Sequence, residues 1–119
     1  MKSNEHEQQS AFFDWVDIMK LKDKRLELCF AVPNAGKRSY GAAMYMKAEG
    51  LRAGVPDVWL PVPNKKYCGL VMENKYGGNK LTDNQELWLR KLKRVGHYVC
   101  VCRSTEQMIK EVSKYLGIK

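Results

Sequence analysis

The amino-acid sequence predicts a mixed α/β domain: a four-stranded sheet flanked by helices, in the order helix, strand, helix, two strands, helix, strand, helix. Apolar residues recur at helical spacing in several stretches, and short apolar runs bounded by Gly, Pro and Asn lie between them. The final strand–helix–strand step calls for a parallel crossover, whereas the two central strands are joined closely enough to run antiparallel. The sheet is therefore expected to be mixed.

Each element has its own signal. Residues 5–20 (EHEQQSAFFDWVDIMK) set Ala11, Phe12, Trp15, Val16 and Met19 on one helical face. Glu5 and Gln9, four apart, share a face near the start of that helix. LELCFAV at 26–32 reads as a strand, ended by Pro33-Asn34-Ala35-Gly36. Residues 39–49 (SYGAAMYMKAE) read as a short helix with Ser39 as cap and Gly50 as stop. Strands near 55–60 and 68–76 follow, joined by the polar, proline-bearing turn PVPNKKY. Thr82 and Gln85 are spaced as a capping box, before a helix whose expected buried stripe is Leu87, Trp88, Leu92 and Val95 and whose stop is Gly96. HYVCVC is the last strand, and Thr105–Leu116 the last helix, with Met108, Ile109, Val112 and Leu116 facing inward. Trp59 and Trp88 fall inside these buried patterns and read as core or interface residues.

Bulk properties narrow the function. The 119 residues make a single domain, 1–119, and its 45% apolar and 29% charged content is that of a soluble globular chain. Residues 1–10 are polar, unlike a signal peptide, and no apolar run nears the roughly 20 residues that cross a bilayer. A cytoplasmic protein with no membrane partner is expected. Cys29, Cys68, Cys100 and Cys102 contain no C-x-x-C pair and read as buried, reduced thiols. With His6 and His97 as the only histidines, zinc is disfavoured. The net charge of +8 favours a polyanionic partner, nucleic acid first.

The second and third strands carry charges that a buried strand should avoid: Asp57 in GVPDVWLP, and Glu73 with Lys75 in VMENKY. Glu73 and Lys75 are two apart and leave the strand on one side. In simple register Asp57 approaches Glu73 across the hairpin. Two carboxylates so placed repel unless they share a proton or a cation lies between them. A hard divalent ion such as Mg²⁺ suits oxygen donors and keeps several waters. A lysine beside them could orient or deprotonate water, or stabilise charge on a phosphate. The plainer reading makes Asp57 a turn cap and Glu73 with Lys75 a solvated pair.

The ordered set EHEQQ, NAGKRS, KAEGLRAGVPD, GLVMENKY and KLTDNQELWLRKLKRVGHYVCVCRS resembles the virus-type replication-repair nuclease (VRR-NUC) family, within the PD-(D/E)XK superfamily. The resemblance covers nearly the whole chain and implies a restriction-endonuclease-like core. It implies Asp57 and Glu73 as metal-binding carboxylates, the backbone carbonyl of Asn74 as a further ligand, and Lys75 as the catalytic lysine. Gln85 matches the family's active-site glutamine. One side chain is not expected both to do that and to close the capping box, so Thr82 is expected to cap alone. Glu5, with Glu7 as the alternative, matches the acid of the first helix. Lys37, Arg38, Lys47, Arg52 and Lys80 are expected phosphate contacts, and Tyr76–Lys80 reads as a mobile loop where substrate could be gripped.

The activity so implied is a Mg²⁺-dependent DNA endonuclease, with Mn²⁺ able to substitute and no small-molecule cofactor. It would hydrolyse phosphodiester bonds directly, leaving a 5′-phosphate and a 3′-hydroxyl. No serine has a His/Asp set, and neither histidine lies near the carboxylates in sequence, so a covalent nucleophile is not expected. Stand-alone members resemble Holliday junction resolvases, which implies a homodimer on branched DNA and a phage-type protein acting in the host cytoplasm. A nickase, flap or non-specific nuclease would share the same catalytic residues. A catalytically inactive DNA-binding module would keep the charge and would not need the acids.

Overall fold

The computed structural model describes residues 3–33 and 40–119. In chain order these form α1 (Ser3–Met19), a 3₁₀ turn (Lys24–Leu28), β1 (Phe30–Ala31), α2 (Tyr40–Ala48), β2 (Val58–Leu60), β3 (Leu70–Asn74), α3 (Asp83–Arg94), β4 (Tyr98–Cys102) and α4 (Thr105–Leu116). The sheet runs β1-β2-β3-β4. Its first two pairings are antiparallel and the β3–β4 pairing is parallel, so the mixed α/β sheet is as expected.

The two-residue period of β3 divides the molecule into layers. Leu70 and Met72 face a core built with Phe12 and Val16 of α1 and with Met108, Val112 and Leu116 of α4. Val71 faces the other way, onto Leu89 and Leu92 of α3. Every residue of β3 is buried, as suits a strand covered on both faces. Tyr115 closes one end of the main core, its hydroxyl donating to the Val62 carbonyl at 2.7 Å.

Several expectations are corrected. Residues 26–28 do not extend the first strand. Asp23 accepts the Arg25 N–H at 3.1 Å and its Nε at 2.9 Å, and Arg25 also reaches the Leu116 carbonyl at 3.1 Å. These side-chain bonds favour a 3₁₀ turn over an extended chain, and the turn buries Leu26 completely. Pro56 has no N–H to give a ladder, so β2 begins at Val58 instead of residue 55. The third strand is Leu70–Asn74, narrower than 68–76. Ala11 is exposed, and Trp15 and Met19 are only partly buried. On α3 the expected Leu87 and Val95 are exposed, at 37% and 68%, while Leu89 is buried. Cys68 is exposed, and all four thiols are free. Ser39, the expected cap of α2, lies outside the described residues.

One backbone feature places the site. Gly54 has φ of +89°, and a Cβ there would stand 2.6 Å from the Asn84 carbonyl carbon. Its lack of a side chain lets the 54–57 segment lie against the first turn of α3, so Asp57 and Gln85 arrive together. Gly54→Ala is expected to cost roughly 2 kcal/mol or more in urea unfolding, from strain and collision with backbone. Gly78, where a Cβ would meet nothing within 4 Å, should tolerate alanine to within about 1 kcal/mol.

Candidate active site

The β2–β3 register pairs Val58 with Met72, and one further step sets Asp57 opposite Glu73. Glu73 follows Val71 on the α3 face of the strand, and its side chain is buried, 2% exposed. The Asn74 N–H donates to Asp57 Oδ2 at 2.8 Å, fixing the first acid on the backbone of the strand that carries the second. Glu73 Oε2 accepts from Gln85 Nε2 at 3.0 Å. Its Oε1 is buried and has no hydrogen-bond partner unless a proton is shared with Asp57. Leaving such an atom unpaired costs about 1–3 kcal/mol, more for a charged group.

Gln85 overturns the expectation that capping and the site compete for it. Its Oε1 accepts the Thr82 N–H at 2.9 Å and its own N–H donates to Thr82 Oγ1 at 3.1 Å, closing the capping box. Its Nε2 remains free for Glu73. The two ends of one amide do the two jobs.

Sequence reasoning missed how α1 is attached. Asn74 is 3% exposed and faces α1, opposite to Glu73. Its Oδ1 accepts from Gln8 Nε2 at 2.7 Å, and its Nδ2 donates to the Glu5 carbonyl at 2.9 Å. Gln8 Nε2 also reaches the Lys75 carbonyl at 3.2 Å, and the Gln8 carbonyl accepts from Thr105 Oγ1 at 3.0 Å. The only sequence signal was a polar Gln8-Gln9 pair one turn before Phe12. Glu5 Oε2 accepts from the Tyr76 N–H at 3.2 Å and Asn79 Nδ2 at 3.4 Å. Arg103 Nη1 holds the same segment by donating to the Gly77 and Asn79 carbonyls at 2.8 and 2.7 Å. The stretch expected to be a mobile loop is thus tied from both sides. Glu7 is exposed.

Asp57 stands between two clefts. One, of about 490 Å³, lies on the α1 side and is lined by Glu5, His6, Ser10, Phe13, Asp57 and Asn74 among others. The second, of about 370 Å³, lies on the α3 side with Arg52, Asp57, Thr82 and Gln85 in its walls. His6, distant from the carboxylates in sequence, therefore shares a cleft with Asp57. Arg52 reaches the second cleft, whereas Lys47 and Lys80 are exposed outside both. Lys37 and Arg38 lie outside the described residues.

Burial raises the Glu73 carboxyl above its ordinary value. The Asp57 charge and their shared hydrogen bond raise it further, to about 9, while the Lys75 charge opposes the rise. Burial raises Asp57 too, against the hydrogen bonds from Glu73 and Asn74 and the charge of Lys75. An acid pair that resists ionising, with no N–H or hydroxyl donor for one buried oxygen, fits a cation-binding centre with oxygen donors. Among the described residues no three His, Cys, Asp or Glu side chains form a ready-made cage. Because the folded value of Glu73 is raised, its contribution to stability is complete below the ordinary 4.5 and is lost as pH rises through about 9. In EDTA, the melting temperature should fall across that interval, and Glu73→Gln should flatten the fall in thermal melts. An unchanged slope in the variant would contradict the assignment.

Comparison with known proteins bears on the fold and the family. No curated protein matches the chain. A solved structure described as a VRR_NUC domain protein superposes with a TM-score of 0.81 at 23% identity, over 97% of this chain and 89% of that one. That likeness concerns the fold. A family model, the VRR-NUC domain, matches residues 2–106, which include all three acids, Lys75 and Gln85. The chain belongs to the VRR-NUC family, the virus-type replication-repair nucleases.

Proposed function

We propose that this nuclease-family chain is a metal-dependent DNA endonuclease that hydrolyses phosphodiester bonds, with branched DNA as its preferred substrate. The observation that supports the reading is the pairing of cleft-lining Asp57 with buried Glu73, two acids held against ionising, with no N–H or hydroxyl donor for Glu73 Oε1. Asp57, Glu73 and the Asn74 carbonyl are the residues that would hold Mg²⁺, with Mn²⁺ as substitute. Bound there, the ion supplies Lewis-acid stabilisation of the negative charge that develops on the phosphate.

The remaining steps belong to the chain. Lys75, the other charged residue on the Glu73 side of the strand, orients the attacking water and, as a cation, stabilises the negative charge that develops on the phosphate. Gln85 holds Glu73 in orientation through Oε2. Glu5 keeps the segment after Lys75 in place, and its charge helps hold the two acids against ionising. Arg52, in the wall of the α3-side cleft, is suited to a phosphate flanking the scissile one. Lys37, Arg38, Lys47 and Lys80 add to the +8 charge that draws the polyanion in. In-line attack leaves a 5′-phosphate and a 3′-hydroxyl. A two-fold homodimer would offer one such site to each of two strands at a junction.

The test uses supercoiled plasmid, then four-way junction, flap and linear duplex of equal length, each with Mg²⁺ or Mn²⁺. Cleavage by the parent should fall roughly 100-fold or more in Asp57→Ala and Lys75→Ala. The junction should be cut fastest. Equal cutting of all substrates would replace branch recognition with a general nuclease activity. Salt-sensitive binding without cleavage would leave only a DNA-binding module.

A further inference from the structure

We propose that one oxygen of each acid is committed to the protein, so that the centre takes a single divalent cation, and that Gln85 is the positioning residue which fixes this number. The inference rests on the reading of Asp57 and Glu73 as cation ligands and adds the stoichiometry.

The hydrogen bonds carry it. Glu73 gives Oε2 to Gln85 Nε2 at 3.0 Å. Asp57 gives Oδ2 to the Asn74 N–H at 2.8 Å. Glu5 gives Oε2 to the Tyr76 N–H at 3.2 Å and to Asn79 Nδ2 at 3.4 Å. Two-cation phosphodiester centres hold their ions about 3.5–4 Å apart, as a clamp on the attacking and leaving oxygens. A carboxylate that bridges ions so spaced through both of its oxygens needs both of them open. Here an N–H, with its positive hydrogen foremost, already occupies one oxygen of each acid. An oxygen accepting one N–H keeps a second lone pair, so the constraint is tightest at Glu73, which is buried.

Neither donor at the central pair is free to withdraw. The Asn74 N–H belongs to the main chain of a strand paired with β4. The Gln85 amide is pinned at its far end, because Oε1 accepts the Thr82 N–H at 2.9 Å. Turning the amide over would break the capping box and point a carbonyl oxygen at a carboxylate. What remains for a cation, in place of the proton the acids otherwise share, is buried Glu73 Oε1 with the other Asp57 oxygen, the Asn74 carbonyl and water.

Titrating the full chain with Mn²⁺ by isothermal calorimetry, and recording the Mn²⁺ electron spin resonance spectrum, tests this without reference to cleavage. The parent should bind one ion per chain and give the spectrum of isolated Mn²⁺. Gln85→Glu keeps an acceptor for the Thr82 N–H, since glutamate serves a capping box as well as glutamine, but replaces the donor with an oxygen. It should bind two ions and show a spin-coupled pair. Two ions in the parent would overturn the proposal while leaving metal dependence standing, and this measurement needs no variant. A single ion bound with unchanged affinity in a folded Gln85→Glu would remove the role given to Gln85. No ion in the parent, with or without DNA, would instead sink the cation reading itself.

Discussion

Everything in this molecule is arranged around two carboxylates that meet where the β2–β3 ladder ends. Their approach follows from register: with Val58 opposite Met72, the next residues out are Asp57 and Glu73. A buried acid pair is unfavourable by desolvation and again by mutual repulsion. The surrounding residues compensate only part of that. A main-chain N–H steadies one acid and a side-chain amide the other, and Glu73 Oε1 has nothing beyond a proton shared with Asp57. A protein selected for stability alone would do better with apolar residues here, as at Val71 on the same face. The unfavourable pair is therefore the strongest physical reason to regard this spot as the working centre.

The overall charge sharpens the point. A chain of net +8 attracts a polyanion, yet the cleft beside the acid pair is lined by the carboxylates of Glu5 and Asp57, which repel one when ionised. Long-range attraction and short-range repulsion are reconciled if a cation sits among the acids when a phosphate arrives. The basic residues then act at a distance, governing encounter and salt dependence. The acids act within contact range, governing chemistry.

The α/β architecture was legible because its signals are redundant: period, turn residues and connection lengths agreed. The candidate trio of Asp57, Glu73 and Lys75 stood out because its charges contradict the apolar runs around them, although only Glu73 lies within a strand. The first strand was misread because LELCFAV satisfies a strand pattern, while the Asp23–Arg25 bonds that turn it into a 3₁₀ segment lie just before it. The α3 stripe was misread for a related reason. Leu87, Trp88, Leu89 and Leu92 allow more than one apolar face, and only packing on Val71 selects Leu89 and Leu92. The Gln8–Asn74 tether was not legible, because a polar residue early in a helix looks like solvent exposure until its partner is known.

Gln85 explains why the true face of α3 was hard to see. Residues 85, 89 and 92 follow the i, i+4, i+7 spacing of one helix face, so Gln85 heads the buried stripe at a position where an apolar residue would be expected. The strand opposite repeats the exchange: Val71 meets Leu89 and Leu92, and Glu73, two residues on, meets Gln85. Helix and strand each replace an apolar contact with a polar one at the same level. Because the same amide closes the capping box, the start of α3 and the orientation of Glu73 are one mechanical unit. A slip of the helix by one residue would uncap it and release the acid together. Core packing on Val71 thereby sets the geometry of the site, without any of those apolar side chains touching a substrate.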